Sequence, residues 1–301
     1  MKTNAGCFDM SKIYTIMFWV SISLVVVSIV AVAVWGLKFG VDFKGGSVME
    51  LEFKNGRPDV EAIAKVLNNK DASISPSGAN GLIIRTGELT ESNHQVILSK
   101  VSAAFPKAGL EEKKFDSVGP IIGNELKSKS ITAIILVLIA VMIYIAIVFR
   151  KLSRYLSPWS LGGAAIIALM HDVIIPTGVF AWLGHTQGVE ISAVFVAAVL
   201  TILGFSVSDT VVVFDRVREN LMKGGAAEGL GHVTHRSIMQ TLTRSLNTTF
   251  ATILSLVAIY FFGGESIKYF ALALAMGFFF GAYSSIFVAS PLMVWWNTRT
   301  R

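Results

Sequence analysis

Long apolar runs separated by short polar connections dominate the chain. Six of these runs carry little or no charge: residues 13–37, 130–149, 159–183, 191–214, 237–262 and 269–296. Because an α-helix rises about 1.5 Å per residue, about 20 apolar residues cross the roughly 30 Å of bilayer hydrocarbon. The pattern therefore predicts six transmembrane helices.

The residues between the first two runs follow a different pattern. Four short segments have the alternation or composition of β-strands: 48–53, 72–75, 81–86 and 111–118. Two intervening segments each place apolar residues on one helical face, namely Val60, Ile63, Ala64 and Leu67, then Ile97, Val101, Ala104 and Phe105. Thr90 is suited to cap the second helix. The order βαββαβ predicts a ferredoxin-like α+β domain, with two helices on one face of a four-stranded antiparallel sheet.

Composition supports this division of the chain into three parts. Hydrophobic residues make up 53% and charged residues 15%, whereas soluble domains average about 25% charged residues. Residues 1–37 are the predicted N-terminus and first transmembrane helix, 38–128 the small α+β domain, and 129–301 the other five transmembrane helices. The predicted fold is therefore α-helical and membrane-embedded, with the α+β domain inserted between helices 1 and 2.

Basic residues concentrate at the two ends and on alternate connections. The connection 184–190 has no Lys or Arg and 263–268 has one Lys, while the connections after the second and fourth runs are rich in both. The positive-inside rule then places both termini in the cytoplasm and residues 38–128 in the periplasm. The net charge of +6 thus indicates topology and contact with anionic membrane lipids, and we expect no nucleic-acid partner.

The first run raises the question of a signal peptide. Ala31 and Ala33 resemble the small residues of a cleavage site, but the apolar run is much longer than the about 7–15 residues of a signal peptide's apolar region. We expect a retained membrane anchor. Cys7 is the single cysteine, so the external domain folds without an internal disulfide.

The fourth run contains an acidic residue, Asp209, and the fifth contains Arg244. An ionisable side chain in a membrane helix costs about 2.5–3.5 kcal/mol on insertion scales, so such residues mark candidate functional sites. Counted from Asp215 and Arg236, the two lie about 9 Å and about 12 Å inside the cytoplasmic end. We predict that Asp209 and Arg244 face each other.

Two interpretations of this pair remain open. The cation favours the ionised carboxylate and the apolar surroundings favour the neutral acid, a balance that suits proton transfer; alternatively, the pair is a static contact between helices. Ser206, Ser208 and Thr210 either support a proton or water relay or simply pack. Thr248 shares a predicted polar stripe with Arg244, Thr252 and Ser255, and we expect this stripe to face the fourth helix.

The third run carries His171 and Asp172. His171 fits a buried, hydrogen-bonded imidazole, and Asp172 is either a structural helix–helix contact or a member of a proton path. Asp172 lies 18 residues after Arg154, about 27 Å along a helix. This count predicts a position nearer the outer leaflet than Asp209, unless the helix begins late.

Glycines mark the two junctions of the α+β domain. The first junction, GVDFKGG, contains Gly40, Asp42, Gly45 and Gly46, and the second contains Gly119 and Pro120. Glycine permits backbone conformations that other residues avoid, and Pro120 is suited to begin a helix. Asp42 fits a capping residue in a turn.

The chain lacks the sequence motifs of soluble enzymes, with no HExxH, GxSxG, Walker A or CxxC. A metal site from His171, Asp172 and Asp209 has no ligand spacing to support it. An intramembrane aspartic protease formed by Asp172 and Asp209 conflicts with the expected cation at Arg244. We therefore predict no enzymatic activity, no cofactor and no bound metal.

Five segments together carry a resemblance to a known family: GVDFKGG (40–46), FDSVGPIIGNEL (115–126), ALMHDV (168–173), ILGFSVSDTVVVFDRVREN (202–220) and SIMQTLTRSLNT (237–248). In order and across nearly the whole chain, they resemble the SecF side of the SecD/SecF family, within the resistance–nodulation–division superfamily. The resemblance implies pairing with SecD, assistance to the SecYEG translocon and to preproteins crossing the bacterial inner membrane, and use of the proton gradient. It also implies that Asp209 lies on the proton path with Arg244 as its basic partner. Ser208 departs from the family, where Asn is frequent.

Two other functions remain open at this point. One is a transporter of lipids or small molecules from the same superfamily. The other is a structural translocon subunit without ion coupling. A carboxylate with hydroxyl neighbours serves either H⁺ or Na⁺, so the coupling ion also stays open.

Overall fold

The computed structural model describes residues 12–68, 72–150, 156–224 and 228–299. Cys7 lies outside the described residues. The chain forms two compact units. One, the outer unit, comprises Phe39–Ile131 and Glu190–Ala193, and the other, the helical unit, holds the remaining residues.

Most of the chain is helical. In chain order the helices are α1 (Lys12–Trp35), α2 (Val41–Lys44), α3 (Val60–Leu67), α4 (Glu91–Ala104), α5 (Pro120–Val148), α6 (Pro158–Gln187), α7 (Ala193–Met222), α8 (Leu230–Phe262), α9 (Glu265–Ser284) and α10 (Ser290–Arg299). A π-helical turn, Ser285–Ala289, joins α9 to α10. Within the described ranges, six segments are long and apolar enough to cross a membrane, and each coincides with one predicted run. The six-helix prediction is confirmed.

Two of the membrane helices extend beyond their apolar runs. α5 begins at Pro120 and continues without interruption through Glu125 and Lys127 into its apolar part. α7 continues past the last apolar residues as far as Met222. Both helices are thus longer than their apolar runs, and in α5 the proline stands at the first helical position, where its missing N–H costs no hydrogen bond.

The outer unit contains a four-stranded antiparallel sheet in the order β2-β3-β1-β4. Its strands are β1 (Gly46–Phe53), β2 (Ser73–Ser77), β3 (Gly81–Thr86) and β4 (Leu110–Val118). Thr90 caps α4, with its hydroxyl accepting a hydrogen bond from the backbone N–H of Asn93 at 3.5 Å. This strand order, with α3 and α4 as the crossovers, confirms the predicted ferredoxin-like arrangement.

The core of the outer unit forms where the predicted strand alternation meets the two helical faces. Met49, Leu51 and Phe53 of β1 are fully buried, together with Leu82 and Ile84 of β3. They pack with apolar residues of the helices: Ile63, Leu67 and Val101, and the partly buried Val60, Ile97 and Phe105. The period of two along the strands and the helical period of α3 and α4 therefore predicted the same core.

Candidate functional site

The helical unit encloses one carboxylate completely. Asp172, on α6, has no solvent exposure. Its Oδ1 lies 2.8 Å from Nδ1 of His171, and its Oδ2 accepts hydrogen bonds from Ser206 of α7 at 2.5 Å and Ser284 of α9 at 2.8 Å. Three helices thus converge on Asp172, since each supplies a side chain that bonds the same carboxyl group.

Asp209, the second membrane carboxylate, is only partly buried. Its Oδ2 accepts a hydrogen bond of 2.6 Å from the hydroxyl of Ser285. Ser284 and Ser285 are consecutive in the chain, and Ser206 precedes Asp209 by three residues on α7. Two neighbouring serines on one side and a single turn of α7 on the other therefore link Asp172 to Asp209.

This arrangement corrects the expected depth of Asp172. We expected Asp172 nearer the outer leaflet than Asp209, because the count began at Arg154. The helix α6 begins only at Pro158, and Asp172 bonds a residue less than one turn from Asp209, about 4.5 Å along the axis of α7. The two carboxylates therefore lie at similar depths in the bundle.

The serine that bonds Asp209 belongs to the π-helical turn. This turn, Ser285–Ala289, interrupts the α-helical pattern between α9 and α10. The hydroxyl of Ser290 donates a hydrogen bond of 2.7 Å to the carbonyl oxygen of Ser285, five residues earlier. Single π-helical turns within α-helices occur frequently at functional sites, and this one lies directly beside the two carboxylates.

Two glycines let α9 approach α7 closely enough for these contacts. A Cβ on Gly277 would lie 2.2 Å from Cδ1 of Ile202, and a Cβ on Gly281 would lie 3.1 Å from Cβ of Ser206. Gly277, Gly281 and Ser285 follow one another at every fourth position of the sixth span, a spacing that gives a small-residue face for close packing. Its third member is also the donor to Asp209.

Arg244 takes a position that we did not expect. Its side chain is exposed in this chain, as are Thr248 and Ser255 of the same stripe, and Thr252 is partly exposed. Among the described residues no ion pair joins Arg244 to Asp209, and the Thr248 hydroxyl bonds the Arg244 backbone carbonyl at 2.6 Å. The pairing of Arg244 with Asp209 stays a prediction. In the chain by itself Arg244 is therefore not buried against the fourth helix, although Gln240, one turn earlier on the same face, accepts a 2.6 Å hydrogen bond from Arg216 of α7.

The physical reason lies in a second polar stripe on α8, one residue away. Hydroxyl residues recur every fourth position along this stripe and are buried: Ser237, Thr241, Ser245 and Thr249. α8 packs closely against α9, and small hydroxyl side chains permit close approach of two helices. Because adjacent residues point about 100° apart on a helix, burial of this stripe turns Arg244 outward.

The remaining candidate residues divide between buried and exposed positions. Ser206 is buried and bonded to Asp172, whereas Ser208 is exposed. His171 is 4% exposed, stacks at 6.0 Å between ring centroids on Tyr283, and its Nε2 has no hydrogen-bond partner among the described residues. The structure therefore brings Asp172, His171, Ser206 and Asp209 together, and leaves Ser208, Arg244 and Thr248 on the outside of the chain.

The glycine motif of the outer unit has a well-defined role. Gly45 (φ +78°) and Gly46 (φ +127°) adopt positive φ, and a Cβ on either would lie 2.7 Å from backbone atoms, of Pro120 and Thr86 respectively. Asp42 is a cap, as expected, but of another helix: its Oδ2 accepts a 2.7 Å hydrogen bond from the backbone N–H of Ala193, the first residue of α7. Only glycine fits at 45 and 46, which explains the paired glycines.

Contacts around Asp42 extend to the segment before α7. The N–H of Gly40 donates a 2.9 Å hydrogen bond to the carbonyl of Ile191, and Arg85 of β3 forms a 3.1 Å ion pair with Glu190. The second junction is simpler, since Gly119 precedes Pro120 and Pro120 begins α5 as predicted. Residues 190–193 therefore belong structurally to the outer unit, although the sequence places them between two transmembrane helices.

Ser284 and Ser285 were not singled out from the sequence as site residues. Ser285 was visible as the third member of the small-residue face, but nothing marked it as a hydrogen-bond donor to Asp209. Ser284 carried no signal at all. Within the described part of the chain, no cluster of three or more His, Cys, Asp or Glu side chains is arranged to hold a metal ion.

Comparison with known families matches most of the chain. Residues 98–299 match the family described as protein export membrane protein SecD/SecF, C-terminal. Residues 30–56 match the SecD/SecF GG motif, which contains Gly45 and Gly46. The two matches together include the helices that carry Asp172, Asp209 and Arg244.

Individual relatives extend over nearly the whole chain. The protein translocase subunit SecF of Thermobaculum terrenum is 38% identical, with 94% of this chain and 92% of the relative aligned. The SecF subunit of Synechocystis is also 38% identical, over 92% and 90% of the two chains. The protein translocase subunit SecDF of Brucella abortus is 37% identical over 88% of this chain, which spans only 34% of that longer protein.

A solved structure shows the same architecture. The crystal structure of SecDF from Thermus thermophilus, described as a translocon-associated membrane protein, superposes with a TM-score of 0.81 at 31% identity. The match covers 98% of this chain and 39% of the SecDF chain. With the family matches, the full-length SecF relatives and this shared architecture, the chain belongs to the SecD/SecF family of protein export membrane proteins.

Proposed function

We propose that this protein is a proton-driven accessory subunit of the Sec translocon, which pairs with SecD and assists the export of preproteins across the bacterial inner membrane. The observation that carries the proposal is the position of Asp209. It is a carboxylate within a membrane helix, partly exposed on the side of the chain and held by one hydroxyl donor, Ser285. Partial exposure allows the carboxyl group to exchange a proton. The hydrogen bond from Ser285 depends on whether that carboxyl group is ionised.

The surroundings of Asp209 support titration rather than a static contact. Among the described residues, one hydrogen bond from a neutral hydroxyl supports the carboxylate. Burial in a membrane favours the neutral acid, and a hydrogen bond to the carboxylate favours the ionised form. A change in membrane potential or in proton concentration therefore acts on the protonation of Asp209.

Pairing with SecD accounts for the exposed polar surface. Arg244, Thr248 and Ser208 are exposed in this chain although they lie in membrane helices, and an Arg facing hydrocarbon costs about 2.5–3.5 kcal/mol on insertion scales. If the transmembrane helices of SecD pack against this surface, Arg244 no longer faces hydrocarbon and that cost is removed. The Brucella relative carries the name SecDF and is about three times as long, which supports SecD as the partner. In that assembly Arg244 becomes available to the carboxylates of the interface.

The remaining parts of the proposal concern location. Both termini and the basic connections lie in the cytoplasm, and the outer unit lies in the periplasm. There it meets preproteins that leave the SecYEG channel, while the basic ends contact anionic membrane lipids. No enzymatic activity, cofactor or metal enters this function.

The decisive test is Asp209→Asn in vesicles that contain this protein, SecD and SecYEG. Asn keeps the shape of the side chain and removes the titration, so stimulation of secretion by a proton gradient should be lost while gradient-independent secretion continues. Thr201→Ala is the matched control, because Thr201 is exposed on the same helix and its hydroxyl bonds the backbone carbonyl of Ala197. Full stimulation in the Asn variant would leave the structural-subunit function standing instead.

The coupling ion and the rival transporter function need a separate measurement. Collapsing the proton gradient and the sodium gradient one at a time shows which gradient the wild-type vesicles use. We expect loss of stimulation only with the proton gradient. Transport of lipids in vesicles that lack SecYEG would favour the other transporter function.

A further inference from the structure

Asp172 and His171 form a buried ionisable pair that the proposed role of Asp209 does not require. The Asp172 side chain is fully buried and His171 is 4% exposed. Their contact of 2.8 Å joins Nδ1 of His171 to Oδ1 of Asp172. An isolated buried charge is costly, and in proteins such groups pair or change protonation state. The protons on this pair therefore decide whether the site carries a net charge.

The hydrogen-bond partners define where a proton sits. Ser206 and Ser284 donate to Oδ2 of Asp172, and His171 Nδ1 reaches Oδ1. His171 Nε2 has no partner among the described residues. A doubly protonated imidazole would leave a buried N–H without an acceptor there, so the favoured imidazole is neutral. With a neutral imidazole, the pair has a charge of −1 when Asp172 is ionised and zero when it is protonated.

The two carboxylates share the elements that hold them. Ser284 donates to Asp172 and the next residue, Ser285, donates to Asp209. On α7, Ser206 bonds Asp172 and lies one turn from Asp209. A shift of the π-helical turn or of this turn of α7 changes both sites together. On α6, Pro176 lies four residues after Asp172 and has no N–H to bond the Asp172 carbonyl, which weakens the helix there.

We propose that Asp172, with His171, is a second proton-holding site whose protonation is coupled to that of Asp209 through Ser206, Ser284 and Ser285. One proton is taken up by the Asp172 carboxylate and the same proton is released, so the charge of the site alternates between −1 and zero. Two like charges held by the same helices disfavour each other, and protonation of one carboxyl therefore favours ionisation of the other. This inference rests on the proposed role of Asp209 as the coupling group.

Other titratable groups near the pair have defined partners. Tyr283 of α9 stacks on His171, and its hydroxyl donates to the Met17 carbonyl of α1 at 2.7 Å. Ser21 of α1 donates to the same tyrosine oxygen at 3.2 Å. Arg244 of α8 is exposed rather than directed to this pair. Asp209 is therefore the acidic group that we expect to respond to Asp172.

The test is infrared difference spectroscopy of the full complex with SecD during a pH titration. Wild type should show the C=O stretch of protonated carboxyl groups, and Asp172→Asn should remove a pH-dependent part of that band. In Asp209→Asn, the Asp172 band should disappear at a pH lower by about one unit, because a neighbouring negative charge is gone. That change is a tenfold shift in proton affinity.

Two serine variants test the same coupling if a carboxyl variant fails to fold, and a third serine variant is the control. Ser284→Ala and Ser285→Ala each remove one donor and leave both carboxylates, and either should shift the titration of the band. Ser160→Ala removes another buried serine of α6, one bonded to Asn297, and should leave the titration unchanged. No pH-dependent band assigned to Asp172, or no shift in Asp209→Asn and both serine variants, would overturn the inference.

The outcome separates this inference from the proposed function. If Asp209→Asn keeps full gradient-dependent secretion while the infrared coupling is present, the coupled carboxylates exist but do not drive export. If secretion depends on Asp209 and the Asp172 band never titrates, Asp172 is a structural contact between α6, α7 and α9.

Discussion

A methyl group at Gly277 tests how closely α9 and α7 approach each other. In Gly277→Ala the new Cβ would lie 2.2 Å from both Cδ1 and Cγ1 of Ile202 and 2.8 Å from its Cγ2. Carbon atoms in favourable contact are about 3.5–4.0 Å apart. The helices α7 and α9 must therefore separate by more than about 1 Å at Gly277, or the Ile202 side chain must change its rotamer.

The expected cost follows from these distances. Overpacking a close-packed interior typically costs about 1–3 kcal/mol, and three carbons of one side chain are affected at once. The better helix propensity of Ala offsets about 1 kcal/mol. Because three carbons are affected, the overpacking cost should lie in the upper part of this range, about 2–3 kcal/mol, and the net destabilisation should be about 1–2 kcal/mol. At Gly281 the nearest atom is Cβ of Ser206 at 3.1 Å, so Gly281→Ala should be close to neutral in stability.

The assay is unfolding of the purified complex in detergent, with a double-mutant cycle. Ile202→Ala removes all three carbons that the new methyl meets. It should therefore make Gly277→Ala less costly than in the wild-type background, with a coupling energy of about 1 kcal/mol or more. Equal effects of Gly277→Ala and Gly281→Ala, or strict additivity with Ile202→Ala, would refute the close approach of α9 to α7.

Three further predictions concern the outer unit. Asp42→Ala should remove the cap of Ala193 at a cost of about 1 kcal/mol, seen as faster amide exchange in the first turn of α7, and Asp42→Asn should retain most of the protection. Residues 44–118 should fold alone with a cooperative thermal transition, and a gradual one would contradict this. That fragment should lose stability in acid. Hydrogen bonds from Gln95 and His94 lower the pKa of Glu91, and those from Lys54 and Lys113 lower that of Glu111, below the ordinary 4.5. The stabilisation is complete above that value and is lost as pH falls through the lowered pKa; Glu111→Gln should reduce this pH dependence.

Local patterns along the chain determined most of the architecture. The lengths of the six apolar runs determined six membrane helices, because the bilayer thickness and the helical rise leave little freedom. The alternation of β1 and the faces of α3 and α4 determined the core of the outer unit, because both periods follow from backbone geometry. Asp209 was evident from the sequence for a similar reason, since an acidic residue in an apolar run is costly wherever it points.

Tertiary structure decided which polar groups meet. Two polar stripes run side by side along α8, and the sequence favoured the one with Arg244, yet in the folded chain the neighbouring stripe of Ser237, Thr241 and Ser245 is the buried one. The two differ by about 100° of rotation, a difference that only the partner helix resolves. Likewise, Asp42 caps a helix that begins 151 residues later, which no local pattern specifies.

The serines beside the carboxylates show the same limit most clearly. Ser284 and Ser285 bond different carboxyl groups on different helices, and the π-helical turn begins between them. A periodic reading of the sequence assumes a uniform rotation per residue, and a π-helical turn changes that rotation locally. Where side chains point after such a turn depends on the packing of α6, α7 and α9, so the link between Asp172 and Asp209 emerges only from the folded helices.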